Sequence, residues 1–464
     1  MRHARFFFSA FFMNGFLSRT AVAVPALMAR AGPDSPLDPS EVFDDAVLLK
    51  VRSVMEQLCT HSWENGTKAQ ALIEYSYPDY SPFSADFGHP IKSNIPDEII
   101  AIARTTLQNR PTSQSADGSN KGPGPLLQDS SAADPASLGI AVLLASLSSD
   151  PNVFQEKIKG VGYGEAAVSQ LNFLLSGAKR NEKTGAISHR VKYSQAWADF
   201  VSMVPPFIAY YGLVKGLPEH LRQAYEQCAI YRTTLQEDTT KLWRHMEVNT
   251  VENKDENGWD LSGRPDIGLW ATGNAWAASG MLRVYATILK SKHKDEMGEE
   301  LQNLALWVQE IVVASTVYID LNKETGLLHN YINDLATFED TAGSTLLAAT
   351  MYRLALLNIT TAYIPYANKI YRTIAKDHIT GGGYLTGAVH PLHFNLSADQ
   401  EGTQSPEGQA FMLMMHAAYK DYAASVPKEE PTEDTGGYSQ PAVFIGSPSV
   451  PQRRGRDVFE DAQT

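Results

Sequence analysis

Apolar positions recur at helical spacing along most of the chain from Pro39 to about residue 425, and strand-like alternation is scarce. The pattern predicts about twelve helices separated by Gly- and Pro-containing loops. They fall near 40–58, 65–75, 96–109, 136–148, 152–179, 194–214, 217–236, 270–291, 295–318, 339–357, 361–376 and 406–424. Two kinds are present. Segments such as 295–318 ("DEMGEELQNLALWVQEIVVASTVY") carry their charges on one face, whereas 194–214, 270–291 and 339–357 are apolar or small almost all round, the mark of burial on every side. Alternation of half-buried and fully buried helices predicts hairpins in two concentric rings, and the count suits a closed toroid of six hairpins. An open solenoid would show a regular sequence repeat, and none is found.

Polar residues collect where the apolar helices begin. "HSWENGT" brings Trp63, "AADPASLG" brings Asp134, "YSQAWADF" brings Asp199, and Asp266 precedes "LWATGNAW"; "FEDTAGS" and "SPEGQAF" open the last two. In a hairpin toroid all inner helices run the same way, so these residues are expected to ring one mouth. Carboxylates and tryptophans around a concave mouth suit a sugar. Asp134 and Glu339 can equally be read as helix caps. Asp199 cannot, because Ser194 is placed to cap that helix and Asp199 lies five residues further in, between Trp197 and Phe200. An isolated ionised carboxylate is costly to bury in such a place, which singles Asp199 out as a candidate functional residue.

Net charge is −13, with no basic stripe to neutralise phosphates, so a nucleic-acid partner is not expected. Any acidic sugar would need a locally placed Arg or Lys. The first 31 residues carry Arg2, Arg5, Arg19 and Arg30, no acid, and the apolar run "FFFSAFFMNGFL", which reads as a secretory signal cleaved near Ala31; a mitochondrial transit peptide has similar composition. Sequons at Asn65, Asn358 and Asn395 agree with secretion. The barrel is expected to span 32–426, with a Ser/Gly/Pro-rich insertion at 110–133 and a charged, Pro/Gly-rich tail at 427–464. No later segment offers some 18 uninterrupted apolar residues, so no membrane partner is expected. Cys59 and Cys228 are open to pairing or to remaining thiols. No metal or cofactor motif is found, and "GVGYGEAA" lacks the preceding strand of a nucleotide loop.

The paired segments "HRVKYSQAWADFVSMVPPFIA" and "LWATGNAWAASGM" resemble the signatures of the unsaturated rhamnogalacturonyl hydrolases, glycoside hydrolase family 105, and of the related unsaturated glucuronyl hydrolases. "SWENGT", "TGLLHNYINDLATFEDTAGSTLLAATMYRLA" and "SPEGQAF" resemble further family segments in the same order, so the likeness runs over roughly 40–425. It implies an all-α, (α/α)6 barrel acting as a monomer on an oligosaccharide. Residue by residue, it implies that Asp199 is the catalytic carboxyl and Asp134 a second acid. His245 would be an active-site histidine, and Trp63, Trp197 and Trp276 would be aromatic contacts for sugar. One position departs: Thr272 stands where the family usually has an Arg that meets the uronate carboxylate, and Thr offers no cationic fork. Arg190, Arg244 and Arg264 are near enough in sequence to replace it.

The implied reaction is hydration of a vinyl ether. An acid protonates C4 of a 4,5-unsaturated uronyl residue, water adds at C5, and the hemiketal opens to release the remaining sugar. Burial against Trp197 and Phe200 is expected to raise the pKa of Asp199 for this task. Two other readings stay open on the same residues. One is hydrolysis of a saturated glycoside by Asp199 and Asp134 as a carboxylate pair; the other is a barrel that binds carbohydrate without turnover.

Overall fold

The computed structural model describes residues 35–88, 90–111, 124–248 and 266–427. The predicted signal segment, the middle of the 110–133 insertion, Arg264 and the predicted tail beyond Pro427 lie outside the described residues. In chain order the α-helices are α1 (Asp45–Leu58), α2 (Ser62–Tyr75), α3 (Asp97–Asn109), α4 (Gly139–Ala145), α5 (Pro151–Phe154), α6 (Tyr163–Asn172) and α7 (Phe200–Met203). They continue with α8 (Pro205–Lys215), α9 (Pro218–Leu235), α10 (Ala271–Lys290), α11 (Gly298–Leu321), α12 (Thr341–Leu356), α13 (Ile364–Asp377) and α14 (Pro406–Ser425). A 3-10 turn, Asp134–Leu138, leads directly into α4. Two short antiparallel pairs join β1 (Gln195–Trp197) to β2 (Met246–Val248) and β3 (Val389–His390) to β4 (His393–Ser397).

The inner ring closes. α2 packs on the Asp134–Leu138 turn, that turn and α4 meet α7 and α8, and contacts run on through α10, α12 and α14 back to α2. Outside them, α3 and α6 cover α4, α9 covers α8, α11 covers α10, α13 covers α12, and α1 covers α14. This is the expected (α/α)6 barrel. The two patterns read in sequence become the two rings: α12 buries every residue from Thr341 to Ala355, whereas α13 buries Ile364, Ala367, Ile370, Tyr371 and Ile374 on one face. α11 is long and apolar enough to cross a membrane by length and composition. Here its Leu304, Trp307, Val308, Ile311, Val312 and Ile319 are buried, and the helix lies on α10 and α9.

Two predicted helices are corrected. The segment 152–179 is interrupted after α5 by a loop in which Lys159 (φ 51°) and Gly160 (φ 80°) are left-handed, ending the helix before α6 starts. The segment 194–214 is not one helix. Gln195–Trp197 is extended and paired with β2, so no helix starts after Ser194, and Asp199 (φ −56°, ψ −35°) immediately precedes the four-residue α7. Pro205 then breaks the run: it has no N–H to give, and its ring obstructs the carbonyl of Val201. Asp199 thus sits at a strand-to-helix junction, where its backbone is set from both sides. Cys59 and Cys228 are free thiols, both pushed up in pKa by burial.

Candidate active site

The six inner segments all deliver their first residues to one cavity of about 290 Å³, near the lower end of the range for small-ligand sites. α2 gives Trp63, the 3-10 turn gives Asp134, and β1 with α7 gives Trp197, Asp199 and Met203. The start of α10 gives Trp270, Thr272 and Trp276, α12 gives Ala342, and α14 gives Ser405 and Glu407. The β3–β4 hairpin adds Val389, Pro391, Leu392 and Phe394 as an apolar flap on the rim.

Asp199 is held by the β1–β2 ladder. The Ala198 N–H donates to the His245 carbonyl (2.9 Å), which sets the two side chains face to face. Asp199 Oδ2 lies 3.6 Å from His245 Nε2, and neither atom has a hydrogen-bond partner although both are sealed from solvent. Behind it, His245 Nδ1 is 2.9 Å from Asp266 Oδ2. Asp266 also accepts from the Tyr331 hydroxyl (2.7 Å) and the Gly268 N–H (3.0 Å). Burial alone would raise the Asp266 pKa, but these bonds prevail and hold it below its ordinary value. An ionised Asp266 makes Nδ1 the donor, the tautomer that leaves the Nε2 lone pair turned toward Asp199. Burial raises the Asp199 pKa, partly opposed by His245. A protonated Asp199 in that arrangement faces an acceptor. Asp266→Asn is expected to lower kcat by roughly 10- to 100-fold and to displace the pH profile, since His245 loses the anion that fixes its tautomer. A kcat and pH profile like those of the wild type would remove Asp266 from the site.

The second acid, Asp134, is pushed up to about 8, by burial first and by the charge of Asp129 next. His189 Nε2 lies 3.5 Å from Asp134 Oδ1, and its ring stacks on Trp197 at 4.6 Å, nearly parallel. Burial drives the His189 pKa well down, so the ring is neutral. Of the residues expected at the mouth, Trp63, Asp134, Trp197, Asp199, Thr272 and Trp276 line the cavity. His245 is instead enclosed behind Asp199, packed against Trp270 (4.3 Å) and edge-on to Phe394 (4.6 Å). The Thr272 hydroxyl is committed to Asp340 (2.6 Å), whose carboxylate also takes the Ala342, Gly343 and Val389 N–H groups.

Sequence reasoning passed over His189, Phe394 and Glu407. His189 opens the quoted segment that carries Asp199, but it lies in a loop, where a lone histidine carries no pattern. Glu407 lies in the quoted SPEGQAF segment but was not singled out; it accepts the Trp63 indole N–H and is pushed up to about 8, by burial and then by the charge of Glu64. Its folded pKa exceeds the ordinary 4.5. The folded state therefore binds the extra proton, and stability present in full below about pH 4.5 is lost as pH rises through about 8. Glu407→Gln is expected to flatten the fall of the melting midpoint between pH 5 and pH 9. A slope equal to the wild type's would show that Glu407 does not titrate there.

The fold is that of several solved structures at low identity. A possible member of family 105 from Klebsiella pneumoniae superposes with a TM-score of 0.59 at 15% identity, over 84% of this chain and 95% of its own. A family 105 glycoside hydrolase from C. acetobutylicum gives 0.56 at 14%, over 81% and 99%. An unsaturated glucuronyl hydrolase specific for heparin gives 0.52 at 14%, over 82% and 95%. A search among curated proteins finds no match. The family model for Glycosyl Hydrolase Family 88 matches residues 155–402, a span running from α6 through the Asp199, His245 and Asp266 cluster to the flap hairpin. The chain belongs to that family and is a glycosidase.

Proposed function

We propose that this enzyme removes a 4,5-unsaturated uronyl residue from the non-reducing end of an oligosaccharide, with Asp199 as the proton donor. The Asp199 carboxyl gives its proton to C4 of the C4=C5 bond, and positive charge develops at C5 and the ring oxygen. Water adds at C5 and returns a proton to the Asp199 carboxylate. The C5 hemiketal then opens to a ketone, the ring oxygen is freed as a hydroxyl on C1, and that hemiacetal collapses to an aldehyde and the released sugar. While Asp199 is ionised, His245 with Asp266 behind it steadies the charge.

The observation that carries this reading is the state of the carboxyls lining the cavity. Asp134, Asp199 and Glu407 are all raised by burial. Burial thus favours the proton-donating form of Asp199 and shifts the other two lining carboxyls the same way, whereas two-carboxylate hydrolysis needs one of them held ionised. Hydration of a vinyl ether needs one carboxyl acting twice. The family membership supports the same reading, and so does the fold shared with an unsaturated glucuronyl hydrolase. The test is loss of the ultraviolet absorbance of the C4=C5 bond from lyase-generated oligosaccharides of rhamnogalacturonan and glucuronan type. Loss of absorbance with release of a shortened saccharide is expected. Intact absorbance on every substrate, together with cleavage of a saturated glycoside, would overturn the reading. We further propose that the protein is secreted: the Asn358 and Asn395 sequons are exposed, as a glycan requires.

A further inference from the structure

An unsaturated uronyl group brings a carboxylate on C5, and that charge must leave water for a largely enclosed cavity in a chain of net charge −13, where an unpaired anion is costly. The site needs a cation aimed inward. The start of α10 supplies none, because Thr272 stands there and its hydroxyl is turned to Asp340. Arg244 does not line the cavity, and its Nη1 lies 3.4 Å from Glu247. Among the described residues lining the cavity, Arg190 is the one Lys or Arg.

We infer that Arg190 binds the substrate carboxylate and makes the enzyme selective for an acidic terminal sugar. Its backbone is pinned on both sides. The Arg190 N–H donates to Ser188 Oγ (3.1 Å), Ser188 Oγ–H donates back to the Arg190 carbonyl (2.8 Å), and an antiparallel bridge pairs Arg190 with Ser131. The side chain then crosses the Trp197 ring with its guanidinium carbon 5.5 Å from the ring centre, a contact that steadies a planar cation while leaving its edge free to donate. The cation is close enough to act on both Asp134 and His189. The fork thus stands over the platform that flanks Asp199, two positions along the chain from Trp197, where a carboxylate on C5 would hold C4 within reach of the acid. A bidentate Arg–carboxylate pair also orients the ring as well as holding it.

The inference rests on the uronyl reading, and binding separates the two. The probes are a 4,5-unsaturated uronyl disaccharide and its methyl ester, titrated calorimetrically into Asp199→Asn protein with and without Arg190→Ala or Arg190→Lys. Arg190→Ala is expected to weaken the acid by roughly 10- to 100-fold and to remove the preference for acid over ester. Arg190→Lys is expected to keep part of the preference, since it retains charge but not the fork. In otherwise wild-type enzyme the same changes should appear mainly in KM. Equal affinity for the acid with and without Arg190, or an undiminished acid-over-ester ratio in a folded Arg190→Ala protein, overturns the assignment. Loss of acid binding on Arg190→Ala, with no absorbance change by the wild type, would uphold Arg190 and overturn the hydration chemistry instead.

Discussion

Asp199→Asn is expected to lower kcat on an unsaturated uronyl oligosaccharide by about 10³-fold or more while leaving the fold intact and substrate affinity within a few-fold. The amide has the carboxyl's shape and can donate an N–H to His245 Nε2, so the buried pair 3.6 Å apart gains a partner rather than losing one. What disappears is the proton for C4 and the base for water, and among the described residues the other lining carboxyls stand elsewhere in the cavity. Asp134 is held across the Trp197 platform beside His189, and Glu407 belongs to the opposite wall with Trp63. The wild-type rate should fall on the alkaline side as Asp199 ionises above the ordinary carboxylate range, the direction set by its burial. Rates across pH, with melting and calorimetric binding as controls, are the measurement. Turnover close to wild type in the folded variant would exclude Asp199 as the acid.

The barrel was legible because burial leaves a mark on composition. A helix covered on all sides, such as α12, can hold no charged face, while α13 must keep one, and hairpins of such helices have few ways to close. The convergence of helix starts on one mouth followed from that closure alone, and it placed Trp63, Asp134, Asp199 and Trp276 together. Three-residue strands were not legible: β1 is defined by its partner β2 some fifty residues later, not by its own alternation. The same distance hid how His245 would act, since its burial behind Asp199 depends on that ladder. Phe394 comes from a hairpin folded over the rim, and nothing local to it marks that destination. Thr272 looked like a lost binding group; the structure shows it tying α10 to the cap of α12, while the Arg that lines the cavity, Arg190, comes from a different loop.

Gly280→Ala is expected to destabilise the protein by about 3 kcal/mol or more, and to lower activity with it. A methyl at this position would lie 2.2 Å from the Val201 carbonyl oxygen, 2.5 Å from the Val201 carbonyl carbon and 2.7 Å from the Ser202 nitrogen. All three are backbone atoms, so no side chain can turn aside, and α7 or α10 must move. In an exposed helix the same change would stabilise by up to about 1 kcal/mol, so the sign itself is diagnostic. α7 is short, broken at Pro205, and tied to α10 through the Ser202 carbonyl, which accepts from Arg283 Nη1 (3.1 Å). Displacing it carries Asp199 away from His245, because Asp199 is the residue from which α7 starts. The melting midpoint is expected to drop by roughly 3 to 4 °C or more, and kcat at a temperature where the variant is still folded should fall by at least about 10-fold, more than KM changes. An unchanged midpoint would mean that α7 and α10 are further apart than described, and an unchanged kcat in a destabilised variant would mean that the position of Asp199 does not depend on this contact.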